Sequence, residues 1–253
     1  MNGFLSRELD LFLAAVGFFT RVPVPMKPDF NEADLNHSTR YFPLVGLFIG
    51  IAAALIYTLV AKILPMELAV LASMAATIWL TGAFHEDGLT DAIDGLGGGW
   101  EKEQVLAIMQ DSRIGSFGAV GLFLMLLAKY EALVHTYPAL IPVAMIAGHA
   151  LSRFAAGLVI YTQPYVKPKG KAKPLATKLS RGELAVTAIF GIGPLLLLAP
   201  KLLITLLPVA IVWCWFSYKL RKRLGGYTGD CLGAMQQLCE LAFYLGVAAW
   251  SFT

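Results

Sequence analysis

The sequence predicts an all-α fold: a polytopic integral membrane bundle of about six to eight spanning helices with one cytoplasmic catalytic face. Three observations predict it. Of 253 residues, 57% are hydrophobic and only 15% charged, with a mean hydropathy of +0.67; an average soluble domain is about 25% charged. Apolar runs close to the roughly 20 residues needed to cross a bilayer recur along the chain, punctuated by prolines. The basic residues gather in alternate connecting segments. The length suits one unit, so residues 1–253 are read as a single membrane-embedded catalytic domain.

Each element follows in order. Residues 9–20 are apolar but too short to span, which suits an interfacial or re-entrant helix. Arg7, Glu8 and Asp10 precede this run and no small-residue cleavage site follows it, so no signal peptide is expected. Thr20-Arg21-Val22-Pro23-Val24-Pro25 reads as an extended turn, because its two prolines forbid helix. Residues 29–40, with Asp29, Glu32, Asp34, His37 and Arg40, read as a loop or short surface helix. Spans are expected at about 44–64, between Pro43 and Pro65, and at about 67–84. A glycine-rich polar stretch and a short amphipathic helix fill 96–114. Further spans are expected at about 116–135, 139–161, 183–199, 202–218 and 232–251. Cys214, Cys231 and Cys239 lack CxxC spacing and read as buried thiols, not as a zinc site or disulfide framework. No internal repeat of the transporter kind is visible.

Charge fixes the sidedness. The N-terminal region, the segment after residue 84, the lysine-rich 163–182 and the basic run Lys219, Arg221, Lys222 and Arg223 all fall on one side of the expected spans. That side collects sixteen of the twenty Lys and Arg residues; the other holds only Lys62 and Lys201. The shared side is therefore cytoplasmic. The lysine-rich segment suits lipid headgroups. Lys129 and Glu131 read as structural charges near the outer interface.

The chemistry is expected where the second span ends, at Phe84-His85-Glu86-Asp87-Gly88-Leu89-Thr90-Asp91-Ala92-Ile93-Asp94-Gly95. On a helix, Asp87, Asp91 and Asp94 lie at i, i+4 and i+7 and share one face. Three adjacent carboxylates repel one another unless a cation joins them, and hard oxygen ligands suit magnesium. The alternative is a solvated acidic first turn, but acids beside a bilayer are costly and usually functional. Carboxylates that hold Mg²⁺, beside cations that hold phosphates, describe phosphoryl transfer.

Asp91-Ala92-Ile93-Asp94-Gly95 is similar to the opening of the CDP-alcohol phosphotransferase signature, but Leu96-Gly97-Gly98-Gly99 follows it and the later half of that signature is missing. A wider resemblance covers almost the whole chain. Phe19–Pro25, Tyr41-Phe42-Pro43-Leu44-Val45-Gly46, Gly82–Gly95, Met109-Gln110-Asp111-Ser112-Arg113-Ile114-Gly115 and Gly226-Tyr227-Thr228-Gly229-Asp230-Cys231-Leu232-Gly233-Ala234 resemble, in order and spacing, the cobalamin synthase (adenosylcobinamide-GDP ribazoletransferase) family. The resemblance implies transfer of an adenosylcobinamide phosphoryl moiety from adenosylcobinamide-GDP to α-ribazole or its 5′-phosphate, with release of GMP. It implies Mg²⁺, membrane lipids and no nucleic acid as partners, and the cytoplasmic membrane of a bacterium or archaeon. Other cobalamin-assembly enzymes or a homo-oligomer remain open as companions.

Roles follow as expectations. Asp87, Asp91 and Asp94 hold metal on the diphosphate; Asp111 and Asp230 complete the shell or orient the ribazole hydroxyl. His85 is a candidate general base, since an imidazole with a pKa near ~6.5 suits proton abstraction, or else a partner of an aspartate. Arg21, Arg113 and Thr228 are candidate phosphate contacts. Arg153, mid-span one turn after His149, is read as a substrate-facing cation, with a structural pair to Glu240 as the alternative. The rival reading from another class is an ion transporter or channel, which Arg153 and Glu240 would suit; the clustering of the acids at one end speaks against it.

Overall fold

The computed structural model describes residues 3–25, 32–166, 178–198 and 200–251. Asp29 and most of the lysine-rich segment therefore lie outside the described residues. Among those described, the fold is helical throughout, with one isolated bridge between Tyr165 and Tyr227. The helices are α1 (Gly3–Phe19), α2 (Glu32–Ser38), α3 (Phe42–Val60), α4 (Met66–Thr81), α5 (Phe84–Gly98), α6 (Lys102–Ile108), α7 (Ser116–Val134), α8 (Ile141–Thr162), α9 (Arg181–Ile192), α10 (Leu206–Leu224) and α11 (Gly229–Ser251).

Five stretches are long and apolar enough to cross a membrane: Ala33–Val60, Ser116–Val134, Pro138–Thr162, Leu202–Leu224 and Gly229–Ser251. The bent pair of α4 and α5 makes a sixth if it counts as one span. This is the low end of the expected six to eight. The expected span at 183–199 does not form. Its helix stops at Ile192, and Gly193-Pro194 turns the chain into a 3-10 stretch through Leu197, because proline removes a helical donor and crowds the preceding turn.

α8 and α11 are the inner helices: 78% and 72% of their apolar windows are buried, against 28% for α7 and α10. The outer helices carry apolar stripes at helical spacing on their free faces. Phe48, Leu55 and Leu59 of α3, Phe117, Val120 and Leu124 of α7, and Leu207, Ile211 and Trp215 of α10 are all exposed. Water would not tolerate so much contiguous apolar surface, whereas lipid matches it. Cys231 and Cys239 are buried thiols as expected; Cys214 is not, and lies exposed on α10.

Small residues set the helix spacing. A Cβ built at Gly50 on α3 would lie 2.7 Å from Ile146 Cα of α8, and one at Gly46 would strike the His149 carbonyl. Gly50→Leu should thus force α3 and α8 apart and lower stability by about 1–3 kcal/mol, read as an earlier unfolding transition in detergent; an unchanged transition would show that this contact is slack.

Local contacts bring the expected loops to one end. Val166 N–H donates to Tyr227 O and Tyr227 N–H to Pro164 O, both at 3.0 Å, tying the chain after α8 to the chain after α10. Arg21 N–H donates to Leu80 O at 2.8 Å. At the far end Tyr137 N–H donates to Ser251 Oγ at 3.1 Å.

Candidate active site

The acid-bearing helix starts from a sharp corner. Gly82 (φ +66°) and Ala83 (φ +59°) are both left-handed, and α5 leaves α4 at 86°. Alanine there costs about 1–2 kcal/mol of backbone strain. The corner is braced by rings: Phe84 packs on Phe18 and Phe19 at 5.2 and 5.6 Å, and His85 stacks on Phe19 at 5.9 Å.

α5 then sorts its side chains by face. His85, Glu86, Leu89, Ala92 and Leu96 turn into the bundle, while Asp87 is exposed and Asp91 half-buried. The opposing helix is α11, and the crossing is glycine on glycine. A Cβ at Gly88 would sit 3.1 Å from Asp230 O and 3.2 Å from Asp230 Cα; one at Gly233 would sit 3.2 Å from His85 O. This close approach brings Asp230 to the helix that carries Asp87 and Asp91. Thr228 sits fully buried beneath it. Its hydroxyl donates to Asp230 Oδ2 at 3.2 Å and accepts from Cys231 N–H at 3.3 Å. Thr228 was expected to touch phosphate; what the structure gives it is the start of α11 and the aim of Asp230.

Asp94 has a different task from its two neighbours. Gly115 N–H donates to its Oδ2 at 2.7 Å and Gly118 N–H to its Oδ1 at 2.8 Å. Gly115 has no side chain to cap α7, so the carboxylate of α5 caps it instead, a contact worth about 1–2 kcal/mol. The shared face expected for three metal ligands is thus divided. Among the described residues no group of three His, Cys, Asp or Glu side chains is arranged to hold a metal. Asp87 and Asp91 suit Mg²⁺ as a pair, because magnesium commonly takes one or two carboxylates and completes its shell with water and substrate phosphates; Asp94 is engaged by the Gly115 and Gly118 amides.

Asp111 and Arg113 pair with each other. The guanidinium donates to both carboxylate oxygens, at 2.6 Å from Nη2 to Oδ2 and 3.0 Å from Nε to Oδ1, in the open. Arg113's side-chain hydrogen bonds hold the Asp111 carboxyl down to about 2. Arg21 is exposed, with its Nε alongside Gly82. Arg223 reaches back to the last carbonyls of α5: Nη1 donates to Leu96 O at 3.5 Å and Nη2 to Gly99 O. That basic run, read as a topology signal, includes a cap for the acid helix.

Beneath the acid face lies a buried polar cluster that the sequence indicated only in part. Lys129 was placed near the outer interface; it is buried, and its ammonium donates to Glu240 Oε1 at 2.7 Å and Gln237 Oε1 at 2.6 Å. Glu240 Oε2 takes Gln236 Nε2 and lies 3.2 Å from His149 Nδ1. Glu240's ammonium partner is thus Lys129, with the His149 ring against its other oxygen, while Arg153 donates from Nη1 to the His149 carbonyl at 2.9 Å. Gln237 also donates to Glu86 Oε1 at 2.9 Å, linking the cluster to the residue before Asp87. The available signal was polar side chains one turn apart inside apolar helices: His149 with Arg153, and Gln236 with Glu240.

With this geometry in view, the comparisons decide the family. The model of the cobalamin-5-phosphate synthase family matches residues 11–248. The chain belongs to that family. A cobalamin-5-phosphate synthase relative from Ralstonia pickettii, named adenosylcobinamide-GDP ribazoletransferase, is 46% identical over 97% of this chain and 98% of its own length. Relatives of the same name from Shewanella pealeana and Shewanella frigidimarina are 44% and 46% identical, over 95% and 96% of this chain and 95% of each of theirs. No solved structure matches. In this cobalamin-5-phosphate synthase family member, Asp230 lies against the helix of Asp87 and Asp91, and Arg223 reaches the end of that same helix.

Proposed function

We propose that this chain transfers the adenosylcobinamide phosphoryl moiety from adenosylcobinamide-GDP to α-ribazole or its 5′-phosphate. GMP leaves, and the product is adenosylcobalamin or its 5′-phosphate. The observation that carries the reading is the Gly88–Gly233 crossing, which sets Asp230 against the helix of Asp87 and Asp91. Near-full-length relatives named for this transfer support it.

In the transfer a ribazole hydroxyl oxygen bonds to the phosphorus that carries the cobinamide, and the bond from that phosphorus to the bridging oxygen breaks with its electron pair leaving on GMP. Asp87 and Asp91 would hold Mg²⁺, which when bound neutralises charge developing on the diphosphate. Asp230, fixed by Thr228, orients the hydroxyl and takes its proton. Arg21 and Arg113 would meet phosphate oxygens with their planar forks; Arg113 is paired with Asp111, and substrate would have to compete with that pair. His85, buried against Phe19, braces α5.

Purified protein in liposomes should convert adenosylcobinamide-GDP and α-ribazole 5′-phosphate to corrinoid product and GMP in equal amounts, followed by mass spectrometry. Absence of GMP, or ion flux without product, would overturn the reading in favour of transport.

The reaction is assigned to the cytoplasmic face of a bacterial or archaeal cytoplasmic membrane, on the strength of the charge pattern, which puts sixteen of the twenty Lys and Arg residues on one side of the expected spans. A reporter fused within 163–182 or at 219–224 should read cytoplasmic, and one at 135–138 external. The reverse pattern would move the acids to the outside and remove their access to nucleotide substrates.

A further inference from the structure

The buried cluster leaves three polar atoms over. Glu86 Oε2, Arg153 Nε and Gln236 Oε1 are fully buried and have no hydrogen-bond partner among the described residues. They come from α5, α8 and α11, and their residues are only 8%, 3% and 1% exposed. All three residues line one cavity inside the bundle, with a volume of about 30 Å³. Each such atom left bare costs about 1–3 kcal/mol, so three around one space describe a site built for an occupant.

The occupant is defined by size and by hydrogen-bond valence. Arg153 Nε offers a donor; Glu86 Oε2 and Gln236 Oε1 offer acceptors. A molecule that accepts once and donates twice satisfies all three. Water does this, and a water needs roughly 10–15 Å³ of such space. The cavity therefore takes one or two. A monovalent cation fits the two acceptors but faces Arg153 and the Lys129 ammonium. A phosphate group is too large for the space.

We propose that this cavity is a water site within the membrane, where one or two water molecules bridge Glu86, Arg153 and Gln236 and join α5 to α8 and α11. Arg153 then serves the bundle as a bridge to water, in place of the direct substrate contact expected from sequence. The bridge reaches α5 at the residue before Asp87, so it also fixes how the acid face is presented. The inference holds whatever reaction that face performs.

The test is X-ray hydroxyl-radical footprinting of the full-length wild-type protein in nanodiscs. Radicals form where water is, and methionine and tyrosine next to bound water are oxidised even when buried. Met145 and Tyr244 line the cavity; Met235 is equally buried and does not. Met145 and Tyr244 should be oxidised at least ~10-fold faster than Met235. Equal, low oxidation of all three would show a dry cavity and overturn the proposal. So would labelling that falls when sodium or potassium replaces choline in the buffer, since a cation would then hold the site. No substitution is needed, so a misfolded variant cannot obscure the result.

Discussion

Asp91→Asn is expected to lower turnover at least ~100-fold, the scale of losing one electrostatic stabiliser of the transition state, with the protein still folded in its membrane. Asp91 is half-buried on the outward face of α5, one turn from exposed Asp87. Neutralising it would halve the carboxylate charge with which this pair would hold Mg²⁺ on the diphosphate in the proposed reaction. The contrast lies three residues on. Asp94→Asn weakens the cap on α7, so its main effect should be a loss of about 1 kcal/mol in stability, because its oxygens already face the Gly115 and Gly118 amides. Steady-state kinetics and unfolding of both variants separate the roles. Normal turnover of Asp91→Asn at saturating magnesium would move the metal away from this face.

Lys129→Met should produce the largest loss of stability. The ammonium is buried between Glu240 and Gln237, and removing one partner of a buried pair strands the other charge, at a cost of about 3–5 kcal/mol. Glu240→Gln in the same chain removes the stranded charge and should recover part of that loss, a coupling visible in a double-mutant cycle. Independent, additive losses would mean that Lys129 and Glu240 do not communicate. The cycle belongs to this pair and not to Arg153 with Glu240, because Lys129 and His149 are the groups that reach the carboxylate.

The helical membrane class, the acid-bearing helix and the gathering of loops at one end were legible because they rest on composition, period and charge. The span at 183–199 misled because hydropathy sums over a window and does not see that Gly193-Pro194 breaks the backbone inside it. The division of the acids was hidden for another reason. Helical spacing places Asp87, Asp91 and Asp94 on one face, but which carboxylate meets the bare start of α7 depends on a packing partner 21 residues away. Lys129 was misplaced similarly: its position near the end of an apolar run suggested the interface, and only α11 across the bundle supplies its two acceptors. Arg153 and Glu240 were rightly singled out as intramembrane charges; Arg153's contact with His149 is local to α8, but the partners of Glu240, Lys129 and His149, come from helices that no local rule connects.

The glycine crossing of α5 and α11 also bears on how the chain is made. α5 ends at Gly98 and α11 begins at Gly229, so about 130 residues must be synthesised between the two halves of one contact. At roughly 5–20 residues per second this takes about 7–26 s. Throughout that interval the acid helix exists without Gly233 against Gly88, without Gln237 on Glu86 and without Asp230. The proposed Asp87–Asp91–Asp230 site therefore cannot assemble until the final helix is made, and a chain cut short before Gly229 should be inert although it retains Asp87 and Asp91.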